Sequence, residues 1–99
     1  MKELTQEIYS ESWCLLDLIN SFYNRKEKVN ADELIDKISE QEHIIANLFA
    51  ETYNILEIEA THMMIIVGSY LNFIIGMRKK KALTIDDVKR IYNLFDYTI

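Results

Sequence analysis

Two stretches of the chain place a carboxylate and an imidazole three residues apart, Glu40-Gln41-Glu42-His43 and Glu59-Ala60-Thr61-His62, and together they hold both histidines of the sequence. On a helix such residues share a face, and a Glu with a His at that spacing is the chelating pair of di-metal carboxylate bundles. Glu40, His43, Glu59 and His62 are therefore the candidate metal ligands. A complete centre needs further carboxylates from other helices; Glu11, Asp17 and Glu51 are available, but nothing in their spacing makes them converge. With 16 acidic residues in 99, such pairs arise readily by chance. The expectation is that no metal and no cofactor is bound, with His43 solvated and His62 partly buried and hydrogen-bonded.

Other chemistries have less to work with. Cys14 is the single cysteine, which excludes an intrachain disulfide and any Cys-x-x-Cys motif; its place between Ile8 and Leu18 on the first helix reads as a small core position. There is no Gly-rich phosphate loop and no nucleophile elbow, so no enzymatic activity is expected. The formal net charge of −5 opposes phosphate backbones and anionic lipid. Basic residues cluster in Arg25-Lys26-Glu27-Lys28 and Arg78-Lys79-Lys80-Lys81, where helices are expected to end and cations complement the helix dipole. Asp86 and Asp87 stand at the start of the last helix, where a DNA reader would meet phosphate, so nucleic acid is not an expected partner.

The elements that must position these residues are helical. Proline is absent and only two glycines occur, which removes the turn punctuation of a β-protein. Apolar residues recur at helical spacing from about Leu4 to Asn24, on stripes through Ile8, Leu15 and Ile19 and through Tyr9, Trp13, Leu16 and Tyr23. Asn30-Ala31-Asp32-Glu33 is a helix start, and apolar spacing then runs through Ile45, Phe49, Leu56, Met63 and Val67 without a breaker. An unbroken helix of about 50 residues would extend about 75 Å and find a core only in a partner. A break near Asn54 and an antiparallel pair are expected instead. Thr84 caps a last helix with Asp86 and Asp87 in its first turn, and its apolar face suggests a docked C-terminus.

The segment Ala60–Met77 carries no formal charge and is apolar on nearly every face. Followed by Arg78–Lys81, it has the length and flank of a minimal membrane span. His62, Ser69, Tyr70 and Asn72 inside it, and the lack of a tryptophan anchor, favour a buried helix and no membrane partner. Each helix of an isolated bundle keeps a polar outer face, and this one lacks it.

The expected fold is thus all-α, one domain over 1–99, a small bundle of about four helices completed by dimerisation. Met63, Ile66, Val67, Tyr70, Leu71 and Ile74 form the expected dimer interface. Tyr9, Trp13, Tyr23, Tyr92 and Tyr97, surplus to a core and amphipathic, form the expected surface for another protein. The first residues are charged with both signs and lead into no export signal, so a cytoplasmic setting is expected. The functional expectation is a non-enzymatic interaction protein, an adaptor or a small inhibitor. A metal-binding bundle, a membrane-associated protein and a DNA-binding dimer are the alternatives.

Overall fold

Between residues 31 and 67 the helical backbone is broken once, over residues 54–56. Asn54 adopts φ 53°, the left-handed conformation that asparagine tolerates better than most residues. The Ile55 N–H then reaches back to the Ala50 carbonyl at 3.2 Å, the six-to-one hydrogen bond of a Schellman cap. Ile55 packs on the core as it leaves the turn. The next helix starts at Leu56 as N-cap, with no side-chain cap bond but with Glu57 and Glu59 in its first turn, where acids meet the positive end of the dipole. Asn54 therefore closes one helix and does not cap the next.

The computed structural model describes residues 6–24, 31–78 and 82–95. They form four helices, α1 (Gln6–Tyr23), α2 (Ala31–Tyr53), α3 (Glu57–Met77) and α4 (Ile85–Phe95). Backbones adjoin as α1–α2, α2–α3, α3–α4 and α4–α1, an up-down-up-down bundle in which each helix has two neighbours. α3 is thus one of four walls and not the central helix. The expected all-α bundle and the break at Asn54 are both present. The Asn30 cap, Tyr97 and the docked C-terminus lie outside the described residues.

Ile8, Leu15, Leu16 and Ile19 from α1 meet Ile45, Ala46 and Phe49 from α2, and Ala60, Met64, Val67, Leu71 and Ile75 from α3, all buried. α4, about half the length of α2, closes the fourth side with Val88, Ile91 and Tyr92. The Phe49 and Tyr92 rings meet edge to face with centroids 5.0 Å apart. The Tyr92 hydroxyl lies 2.7 Å from Ser12 Oγ. Ser12 Oγ also donates to the Ile8 carbonyl at 2.7 Å; since it has one proton, Tyr92 is the donor to serine. Burial pushes the Tyr92 phenol up to about 12. Ser12 and not Cys14 is therefore the small core residue of α1; Cys14 is exposed.

The link from α3 to α4 is held by polar groups. The Arg78 guanidinium grips the buried Asp87 carboxylate in a fork, Nη1 to Oδ2 and Nη2 to Oδ1, both 2.7 Å. The same carboxylate accepts the Thr84 N–H at 2.8 Å and the Thr84 hydroxyl at 3.2 Å, so Asp87 completes the capping of α4 expected at Thr84. The Asn20 amide holds Leu83 from the other side, accepting its N–H at 2.8 Å and donating to its carbonyl at 3.2 Å.

Two predictions follow from this packing. Tyr92→Phe, which leaves Ser12 bonded to Ile8, should cost about 1 kcal/mol, roughly 4–8 °C in Tm for a chain of this size, whereas Tyr92→Ala should cost about 3–5 kcal/mol; thermal unfolding followed by circular dichroism measures both. The hydrogen bonds from Arg78, aided by those from Thr84, hold the Asp87 carboxyl below its usual range. Its stabilising contribution is then complete above the unfolded value of about 4 and is lost as pH falls through the lower folded value. Urea unfolding between about pH 5 and pH 2, roughly the carboxylate range, should show a steep acid loss that is shallower in Asp87→Asn.

Candidate functional site

α2 and α3 carry the four candidate metal ligands to the surface. Glu40, His43, Glu59 and His62 are all exposed. His43 Nε2 faces Glu57 Oε1 at 3.8 Å across the hairpin, a contact between helices and not within either Glu-x-x-His pair. Among the described residues no three His, Cys, Asp or Glu side chains converge as a metal group would require. His62, expected to be partly buried, stands in solvent.

The face of α3 turned away from the bundle is different in kind. Ile58, Ile65, Ile66, Tyr70, Phe73 and Met77 are each between 46% and 69% exposed. At 100° per residue these positions, with His62, Ser69 and Gly76, fall on the side opposite Ala60, Met64, Val67 and Leu71. The apolar excess of the Ala60–Met77 segment is therefore outward. A patch on the order of several hundred Å² exceeds what a monomer ordinarily leaves bare. A Cβ on Gly76 would meet nothing within 4 Å, so its smallness serves no contact inside the chain.

Of the residues expected at a subunit interface, Ile66 and Tyr70 lie on this face, and Met63 and Ile74 flank it half-buried. Val67 and Leu71 are fully enclosed in the chain's own core. The reason is register: a face defined by residues 63, 67 and 71 points at α2 and α4, and the exposed stripe is displaced to 66, 70, 73 and 77. Ile58, Ile65, Phe73 and Met77 were not singled out in the sequence, because an evenly apolar helix does not reveal which side faces inward.

α3 is long and apolar enough to cross a membrane by length and composition, with 28% of that window buried inside the bundle. It packs lengthwise on α2, whose outer surface exposes Asp32, Asp36, Lys37, Glu40 and Glu51. Spanning in this fold would draw those charges into lipid, at a few kcal/mol or more each near the centre.

The aromatic residues separate into engaged and free. Trp13 is 51% exposed on α1. The Tyr9 ring lies under Lys89, whose Nζ is 5.3 Å from its centroid, and the Tyr23 hydroxyl donates to Asn72 Oδ1 at 2.8 Å. Tyr92 is buried and is out of reach of a partner.

Tyr23 and Asn72 belong to a second feature that the sequence did not signal. A recess of about 360 Å³ opens between α1, α2 and α3, lined by Ile19, Phe22, Tyr23, Ile35, Ile38, Ser39, Glu42, Gly68 and Asn72. Its polar end is Glu42, whose carboxyl lies against the backbone of α3; a Cβ on Gly68 would come within 2.7 Å of Glu42 Oε2. Burial raises the Glu42 carboxyl above the usual glutamate range. Gly68, unexplained inside an apolar helix, was the one available clue. Comparison of the chain with protein-family models, with curated proteins and with solved structures gave no match.

A raised folded-state carboxyl has the opposite pH signature to Asp87. The proton is held more tightly in the folded chain, so stability falls as pH rises from the ordinary glutamate value of about 4.3 through the raised value. Glu42→Gln should remove this decline, so its unfolding midpoint relative to the native chain should rise as pH goes from about 4 to 7, measured by urea titration at stepped pH.

Proposed function

We propose that the chain is a non-enzymatic protein-interaction module that works as a homodimer, with the outward face of α3 packed against the same face of a second copy. The observation that supports this reading is the exposed row Ile58, Ile65, Ile66, Tyr70, Phe73 and Met77 on a helix with no formal charge between Ala60 and Met77. A two-fold pairing applies one patch twice, so an uncharged patch has no like-charge contacts to suffer. Ser69 and Gly76, seven residues apart on that face, let the paired backbones approach closely. The exposed area is of the order that one partner contributes to a stable interface, about 800 Å². A charged target would leave its own groups unsolvated there, which disfavours the acidic or basic partners that the rest of the surface suits.

With α3 occupied, the surface left for a further protein is on α1, where Trp13 projects beside Glu7, Ser10 and Asp17, all exposed. Adaptor or inhibitor activity would reside there, with tryptophan as the anchor.

Sedimentation velocity on the purified chain tests the dimer. The expected result is twice the chain mass of 11.7 kDa at micromolar concentration, tightening as salt screens the repulsion between two copies of net charge −5. Ile66→Asp with Phe73→Asp should give a helical monomer with an unchanged circular dichroism spectrum. A native chain that stays monomeric to roughly millimolar concentration, about −4 kcal/mol of association, rejects the reading.

A further inference from the structure

Glu42 and Gly68 each carry a cost that the fold does not require. A glycine in mid-helix is about 1 kcal/mol worse than alanine, and a carboxylate half withdrawn from water is unfavourable without a counter-charge. Gly68 leaves room for the Glu42 carboxyl in this position; a Cβ there would come within 2.7 Å of Oε2 and make the carboxyl swing aside. No hydrogen bond or ion pair links the Glu42 carboxyl to another described residue. Of the other polar side chains of the recess, Tyr23 donates to Asn72 Oδ1, Asn72 Nδ2 donates to the Gly68 carbonyl at 2.8 Å, and Ser39 contributes a neutral hydroxyl. Among the described residues no lysine or arginine lines the recess.

We propose that the recess between α1, α2 and α3 binds a small amphipathic amine, its hydrocarbon against Ile19, Phe22, Ile35 and Ile38 and its ammonium hydrogens on the Glu42 carboxylate. The chemistry follows from the lining. A volume of about 360 Å³ stands at the small end of ligand pockets and suits a molecule of roughly ten heavy atoms. The walls offer apolar contact, and the one charged side chain among the described lining residues is the anionic Glu42. A carboxylate ligand would be repelled, and an alcohol would donate one hydrogen bond to the carboxylate where an ammonium adds a full opposite charge and further donors. Gly68 and Asn72 occupy the α2-facing side of α3, away from the row on its outer face, so this site does not depend on dimerisation.

The test uses the full chain and three probes of one shape: 3-phenylpropylammonium, 3-phenylpropan-1-ol and 3-phenylpropanoate, compared by calorimetry and by amide shift mapping at matched ionic strength. The ammonium should bind saturably, shift the amides of Glu42, Gly68 and Asn72, and exceed the alcohol by about tenfold in affinity, with the carboxylate weaker still. Glu42→Gln should keep the fold and abolish the preference for the ammonium over the alcohol. Ile38→Trp, which fills the apolar wall, should weaken ammonium and alcohol together. Absence of ammonium binding to the native chain, equal binding of all three probes, a Glu42→Gln variant that retains the preference, or shifts confined to the outer-face residues Ile65, Ile66, Tyr70, Phe73 and Met77 would each overturn the assignment.

Discussion

The Asp87 carboxylate is the constraint on which the closed bundle depends. It is buried, and it receives a two-pronged guanidinium from Arg78 and two hydrogen bonds from Thr84. A carboxylate in that position is tolerable only when its acceptor capacity is filled, so it fixes three things together: the exit from α3, the N-terminus of α4 and the angle between them. α4 is short, and further along it is held by Val88, Ile91 and the Tyr92 ring, which meets Phe49 and puts its hydroxyl on Ser12. The clasp adds a polar anchor at its start. Asn20 secures the same junction from α1, so the fourth helix is tied to both of its neighbours.

α3 meets two demands that one helix can satisfy only by being apolar all round. Its inner side supplies the middle of the core through Ala60, Met64, Val67 and Leu71, and its outer side shows Ile66, Tyr70, Phe73 and Met77 to solvent. Neighbouring helices solve the outer problem in the usual way: α2 exposes Asp36 and Glu40, and α1 exposes Glu7 and Asp17. Water contact on the outer side of α3 is unfavourable at about 25 cal/mol per Å² of apolar surface, and covering that side is the most direct role for an association. The region between α1, α2 and α3 has a different character. There a glycine and a half-buried carboxylate replace packing and border an open recess.

Much of the fold was legible because helical spacing, Asn54 and Thr84 act locally. The turn after α2 needs one residue that accepts a positive φ, and asparagine is the suitable one in a stretch without glycine. Thr84 with Asp87 announces a helix start wherever it occurs. What failed were statements about which side faces in. Cys14 and Ser12 sit two residues apart on α1, and their types gave no reason to choose the serine for the interior; the choice follows from Tyr92 arriving from a helix 80 residues away. The two Glu-x-x-His pairs are well spaced, but both project outward, so spacing without orientation made no site.

From the sequence alone came the helical class, the hairpin break, the absence of a disulfide and the uncharged stretch from Ala60 to Met77, since each depends on local backbone preference or on composition. The tertiary structure decided which stripe of that stretch is enclosed, placing Val67 and Leu71 inside and Phe73 and Met77 outside. It also made Asp87 a buried clasp and brought Glu42 onto Gly68. These outcomes depend on the rotation of each helix about its axis, which is set by its two neighbours. No periodicity within a uniformly apolar helix contains that information.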